Sequence, residues 1–422
     1  MPKIFILDVT NRDGVQTSRL GLAKLEKTLI NMYLNDMGVF QSEFGFPYTL
    51  HEKNYIIANL ELARRGVLDP IRLGGWCPMR EGEIRASFAN PGLKHCNLSL
   101  STSDQMTRGK FGDRVVRTPE ENPDLPNLLD MLGESVALAR ELGAESIGVN
   151  AEDAARTDDE FLLRFAEAAR DAGADRFRYC DTLGYNDPFD IYNRCRMLAE
   201  EIGLPIELHC HNDLGMAVGC SVAGAKGAVD GGVDAYINTA VNGMGERAGN
   251  ADLVSVILAI QKSSGMEGKY TLDERVDLSK AWRLAKYASY AFGVPIPVNQ
   301  VGVGENAFAH ESGIHADGAL KDRRNYELYN FEELGRGEPE QIETGRQITC
   351  GEYSGIKGFR DVYGGLEVEF HNDDEAREIL ELVRYANVHT QKPLTNDELR
   401  FIAKYPDMAR QILTMTPPEI QH

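Results

Sequence analysis

Strand-like runs recur along the first part of the chain at a spacing that leaves few folds open. "IFILDVT", "VFQSEFGF", "IRLGGWC", "CNLSLSTS", "SIGVNAED", "RFRYCDT", "IELHCH" and "AYINTAVNG" begin near residues 4, 39, 71, 96, 146, 176, 206 and 235. Helical patterns such as "LAKLEKTLINMYLND", "YIIANLELARRG" and "DEFLLRFAEAARDAG" lie between most of them. Gly or Asp commonly closes these helices, as helix-end chemistry prefers. Strands alternating with helices call for a parallel sheet. Eight such units over roughly 260 residues match the count and size of a (β/α)8 barrel. The expected fold is therefore α/β: a TIM barrel followed by a smaller, mostly helical C-terminal region. An open doubly wound sheet fits the same alternation, but no glycine-rich dinucleotide fingerprint follows the first strand. The period breaks near residue 265. That divides the chain into a barrel over 1–270, a linker with subdomains over 271–358 and a helical segment over 359–422. The longest gap between strands holds "TRGKFGDRVVRTPEENPDLP", which reads as an ordered or closing loop.

A formal net charge of −20 argues against nonspecific nucleic-acid binding, which needs a basic surface. An anionic substrate could still be met by a local cluster of arginines. No apolar run is long enough to span a bilayer, and the first strand begins at once, leaving no room for a signal peptide. The seven cysteines show no CxxC spacing, so free thiols in a reducing cytoplasm are expected. Small-molecule substrates are the expected partners, with neither nucleic acid nor membrane.

In a TIM barrel, chemistry sits at the C-terminal ends of the strands, and here those ends carry polar cargo. "DVTNRDGVQ" delivers Arg12, Asp13 and Gln16; the second strand delivers Glu43, the fifth Asn150 and Glu152, the sixth Asp181 and Thr182. Acids at strand ends also cap the next helix, which is the alternative for Asp181 and Asp153. Strand alternation in "ELHCHNDLG" points Glu207, His209 and His211 to one face. Two imidazoles converging on one point suggest a divalent metal; a hydrogen-bonded histidine pair at a strand end is the other reading. Parity also turns Arg178 inward. A buried arginine needs a partner, so an Arg178–Glu207 contact beneath the histidines is expected.

"DVTNRDGVQ", "ELHCHNDLG", "NGMGERAGN" and "GENAFAHESGIHADG" together resemble the Claisen-condensing branch of the DRE-TIM metallolyases. That branch holds isopropylmalate, homocitrate and Re-face citrate synthases, and the likeness runs from about residue 4 to residue 358. It implies that Asp13, His209, His211 and Asn250 hold a divalent cation, Mn²⁺, Mg²⁺, Co²⁺ or Zn²⁺. It implies that Arg12 faces charge developing on carbonyl oxygens, that Glu43 orients Arg12, and that Thr182 and Thr239 hydrogen-bond the substrate carboxylate or its surroundings. It assigns His315 and Tyr326 to a flexible subdomain that reaches the barrel of a neighbouring protomer in a homodimer. There His315 and Glu152 would act together on the methyl group of acetyl-CoA, with Tyr326 as a proton partner. Departures from the family text gather at the substrate end: Asn11, Val15 where an acid is usual, and Met106 where relatives often have histidine. Tyr353 and Ile356 also depart, in "TCGEYSGIKG".

A branched-alkyl 2-oxo acid would want an apolar pocket. This chain offers Arg72 in "IRLGGWC", with Gln41, Ser42, Ser101 and Ser103 near neighbouring strands. If Arg72 points inward, pairing with a second carboxylate is its natural use; if outward, it is a surface arginine. A dicarboxylic 2-oxo acid is favoured. "TNRDGVQT" and Met106 look most like Re-face citrate synthases, so the expected reaction is acetyl-CoA with oxaloacetate giving citrate. Homocitrate and isopropylmalate synthesis are the runners-up. A 3-hydroxy-3-methylglutaryl-CoA lyase-like cleavage and a non-catalytic metal-binding barrel are the alternatives from other classes. Those lyases carry a Cys-bearing glycine-rich loop in place of "NGMGERAGN" and lack the "SGIH" subdomain, while a non-catalytic barrel has no use for Arg12, Glu152 and His315. The C-terminal stretch is too short for the large regulatory domain of full-length isopropylmalate synthases.

Overall fold

The computed structural model describes residues 2–339 and 345–415. Eight strands run in parallel order: β1 (Lys3–Asp8), β2 (Gln41–Gly45), β3 (Arg72–Pro78), β4 (His95–Ser101), β5 (Ser146–Glu152), β6 (Arg176–Asp181), β7 (Ile206–Cys210) and β8 (Ala235–Thr239). β1 pairs with both β8 and β2, which closes the sheet into a barrel and removes the open-sheet alternative. The outer layer is α1 (Lys24–Asp36), α2 (Lys53–Arg64), α3 (Glu81–Phe88), α4 (Asp104–Phe111), α5 (Leu128–Glu141), α6 (Asp159–Asp171), α7 (Pro188–Ile202), α8 (Ala217–Asp230) and α9 (Leu253–Lys262).

Local chemistry sets these helices. α6 buries Phe161, Leu162, Phe165, Ala166 and Ala169 at helical spacing, and the Asp158 carboxylate caps it by accepting from the Phe161 amide. α7 starts with Pro188 behind an Asp187 cap and stops at Gly203 in the left-handed conformation. The long gap after β4 is ordered: it forms α4 and α5, and a bridge between Val116 and Asn127 pins the segment joining them.

Beyond β8 the chain stays on the barrel. A two-residue strand, β9 (Thr271–Leu272), runs parallel to β1, and α10 (Ala281–Phe292) packs on α1. Further on come α11 (Gly313–Lys321), α12 (Ile356–Gly365), α13 (Asp373–Thr390), α14 (Asn396–Lys404) and α15 (Pro406–Leu413). α13, α14 and α15 bury Val383, Phe401, Ile402 and Ile412 and lie against α1, with α15 also on α2. Polar ties fix the docking: Lys392 Nζ donates to Glu26 Oε1 at 3.0 Å, and Tyr287 OH donates to Glu398 Oε1 at 2.8 Å.

The barrel interior is polar where aliphatic side chains usually stack. Arg178 donates from Nε to Glu207 Oε1 at 2.6 Å and from Nη2 to Glu43 Oε1 at 2.8 Å. Asn97 reaches Glu43, Asn238 reaches Glu207, and Arg176 below reaches Glu207 and Gln41. Gly148 makes room for this lattice, since a Cβ there would sit 2.0 Å from Asn97 Oδ1. The Arg178–Glu207 contact expected from strand parity is present.

Candidate active site

Above this charged plug, strand ends and loops enclose a cavity of about 390 Å³. Arg12, Asp13 and Gln16 line it from the β1 loop, Asn150 and Glu152 from β5, Thr182 from the β6 end, and His209 and His211 from the β7 end. Asp13, His209 and His211 are buried, and one ligating atom from each lies within 4.8 Å of the others. The two rings meet edge to face, centroids 4.9 Å apart. Asn250 is held at the same point, donating from Nδ2 to Asp13 Oδ2 and to the Met244 carbonyl. A Cβ on Gly245 would fall 2.0 Å from Asn250 Nδ2 and 2.9 Å from Asp13 Oδ2, so the loop "NGMGERAGN" closes on the cluster only because 245 is glycine.

Burial, then the neighbouring Arg12 and His211, push the His209 imidazole well below its ordinary value, so it is neutral. Burial also lowers His211. For Asp13 burial acts upward, but the Arg12 guanidinium, with the hydrogen bond from Asn250, holds the carboxyl below its usual range. A carboxylate beside neutral imidazoles is the protonation state that metal ligation requires. His209 Nδ1, His211 Nδ1 and Asn250 Oδ1 are buried without a hydrogen-bond partner. These unmet lone pairs fit a divalent cation held by Asp13, His209, His211 and Asn250.

Arg12 is fixed from two sides: Nε donates to Glu43 Oε2 at 2.5 Å and Nη1 to Asp13 Oδ1 at 2.9 Å. Burial would raise the Glu43 carboxyl, but Arg12 and Arg178 hold it far below the carboxylate range. Glu43 itself does not line the cavity; it acts through Arg12. Thr182 accepts from the Asp153 amide, and its carbonyl accepts from Arg247, which also clamps Asp213. Asp181 turns the other way and accepts from the amides of Tyr185 and Asn186, a turn-closing role; burial raises its carboxyl to about 6.

Three expectations need correcting. Arg72 has inward parity but is the first residue of β3, so it lies at the opposite end of the barrel, exposed, its guanidinium 4.6 Å over the Phe40 ring. It cannot meet a substrate in this cavity. Gln41 and Ser42 likewise begin β2, bonding Arg176 and Asn31 below the site. Thr239 has outward parity and donates to the Leu7 carbonyl, so it does not line the cavity. His315 and Tyr326 stack on each other at 4.3 Å in the subdomain around α11, Gly318 admitting the tyrosine ring, yet neither lines the cavity of its own chain. Both are exposed, Tyr326 by 41%.

Sequence reasoning missed an aromatic wall of Phe46, Tyr48 and Trp76, and Lys110, whose ammonium sits 2.6 Å from Glu152 Oε2. The inward parity of Trp76 was readable; Lys110 stands on a helix, where strand alternation carries no signal.

A parallel barrel with a buried carboxylate–imidazole cluster that could hold a metal ion, and an anchored arginine at its C-terminal rim, defines a TIM-barrel enzyme. Residues 3–287 match the HMGL-like family, and residues 303–390 match the homocitrate synthase post-HMGL domain-like family. The chain belongs to the HMGL-like family, in its Claisen-condensing DRE-TIM synthase branch. It is 60% identical over 419 residues, 99% of each chain, to the Citrate (Re)-synthase of Dehalococcoides mccartyi. It is 34% identical to 2-isopropylmalate synthase 2 of Caldanaerobacter subterraneus subsp. tengcongensis, over 94% of each chain. The HMG-CoA lyase structure from Bacillus subtilis shares the fold, with a TM-score of 0.53 at 20% identity, covering 70% of this chain and 97% of that one.

Proposed function

We propose that this protein condenses acetyl-CoA with oxaloacetate to give citrate and free CoA, by attack on the Re face. The observation that carries the reading is the 60% identity to a Citrate (Re)-synthase across 99% of both chains. The cavity agrees in character. Asn150, 1% exposed, lines the cavity with Ser99 and Gln16, and their amide N–H and hydroxyl groups are hydrogen-bond donors. These groups offer donors for a second carboxylate, the part first expected of Arg72. A branched alkyl chain would leave them unpaired, which costs more than a mismatch of apolar shape.

The chain's own groups divide the work as follows. Arg12 is pre-aimed by Glu43 and Asp13, so its guanidinium stabilises negative charge on the carbonyl oxygens without reorganising. Glu152 takes a proton from the thioester methyl. The carbon so freed bonds to C2 of oxaloacetate, and the C2 oxygen gains a proton to become the hydroxyl of citrate. Hydrolysis of the thioester then adds water's oxygen to the new carboxylate and releases CoA as thiol. A divalent cation at Asp13, His209, His211 and Asn250 supplies Lewis-acid polarisation of the 2-oxo acid; Mn²⁺, Mg²⁺, Co²⁺ and Zn²⁺ all suit this donor set. His315 and Tyr326 of a second copy complete the site beside Glu152 in a homodimer, consistent with their exposure here. The seven cysteines are unpaired and buried, and among the described residues no helix is long and apolar enough to cross a membrane.

The test is a substrate panel. Protein, Mn²⁺ and acetyl-CoA are incubated with oxaloacetate, 2-oxoglutarate or 2-oxoisovalerate, and thiol release is followed. Release is expected with oxaloacetate; robust release with either other acid and none with oxaloacetate would overturn the substrate.

A further inference from the structure

The two carboxylate oxygens of Glu152 have different surroundings. Oε2 accepts from Ser101 Oγ at 2.5 Å and from Lys110 Nζ at 2.6 Å, and Lys110 also donates to Ser101 Oγ at 2.8 Å. No hydrogen bond to Oε1 is formed among the described residues. Lys110 reaches across from α4, and α4 is tied to the end of β5 by Ser103. That hydroxyl accepts from the Met106 amide at the helix start and donates to Asp153, the residue after Glu152. Glu152 also stands where the main cavity meets a second of about 280 Å³, which holds Lys110, Arg80 and Phe111. Tyr48, Trp76, Ser99 and Glu152 line both.

Lys110 is 47% exposed and Glu152 30%, and pairs so open to water contribute little to folding. Their geometry has another use. We infer that Lys110 is a positioning residue for the condensation: with Ser101 it clamps Oε2 and so presents Oε1 to the thioester methyl. The inference rests on the reading of Glu152 as the base. The clamp leaves one oxygen fully engaged and fixes the carboxyl's rotation. Without Lys110, one hydroxyl is left to hold a flexible side chain, and in proton transfer a misplacement of about 1 Å can cost about a hundredfold in rate.

Lys110→Met and Lys110→Arg test this in the full metal-loaded chain, with Glu152→Gln as the control. Lys110→Met is expected to lower kcat by about tenfold to a hundredfold with KM for oxaloacetate within about twofold. The isotope effect on kcat with methyl-deuterated acetyl-CoA should rise, because proton removal alone has become slower. Lys110→Arg, which keeps the cation and its donors, should recover most of kcat. Unchanged kcat and isotope effect in Lys110→Met, beside an inactive Glu152→Gln, would overturn the clamp and leave the base standing. Full activity in Glu152→Gln would overturn the base instead. Equal losses in the Met and Arg variants with no rise in isotope effect would mark Lys110 as structural and also overturn the inference.

Discussion

Gly245 shows how little room the cluster of Asp13, His209, His211 and Asn250 leaves. Alanine there would drive a methyl group into Asn250 and Asp13, shifting two of the four groups without removing either. Gly245→Ala should weaken divalent-cation affinity by about tenfold to a hundredfold, the usual cost of disturbing groups that orient metal ligands. Titration calorimetry with Mn²⁺ measures it, and an unchanged affinity would mean that the loop does not shape the site. Alternation along a strand made His209, His211, Glu207 and Arg178 legible from sequence, because it fixes the face on which a side chain stands. It does not fix the height. Arg72 shares the correct face of β3 but begins that strand, a full strand length from the chemistry.

The strands carry a charged interior whose members depend on one another. Arg178 is fully buried between Glu43 and Glu207. Arg178→Met removes the cation and strands two carboxylates, so chemical denaturation should show a loss of about 3–5 kcal/mol. A loss near zero would mean that the lattice re-pairs through Arg176 and Arg12. The end of β1 supplies a pH-dependent counterpart. Asp8 is buried, its Oδ1 accepts from the Thr10 amide and its Oδ2 has no partner. Burial raises its carboxyl to about 7 against the opposing hydrogen bonds from Thr10. Between the unfolded value, about 4, and that folded value, the native state keeps a proton that the unfolded chain has released. Stability from this group therefore falls as pH rises through the window and is level above it, by at most about 4 kcal/mol. Asp8→Asn should flatten the decline in stability between about pH 4 and about pH 7, read from melts across that range; an unaltered slope would assign it to other groups. Among elements, the eight strands were legible because each repeats a run long enough to show alternation. β9, with two residues, has no period to read, and α4 lay hidden in a polar stretch whose value is tertiary: it brings Lys110 to Glu152.

At the scale of the molecule, α10 and α13–α15 thicken the barrel wall, while the segment around α11 holds His315 and Tyr326 outside their own cavity. Family motifs identified those two residues; no periodicity could have said which barrel they serve. If the site is shared between copies, inactive Glu152→Ala and His315→Ala proteins should recover activity on mixing once subunits exchange. Random pairing gives about a quarter of the parental rate, and no recovery despite exchange would contradict sharing. The central claim, acetyl transfer to oxaloacetate on its Re face, is tested most directly by following one carbon. Acetyl-CoA labelled with ¹³C in its methyl group is reacted with oxaloacetate, and the citrate formed is cleaved by a citrate lyase that removes the pro-S arm as acetate. The account predicts labelled citrate whose label stays in the oxaloacetate fragment; label in the acetate, or no labelled citrate at all, would contradict it.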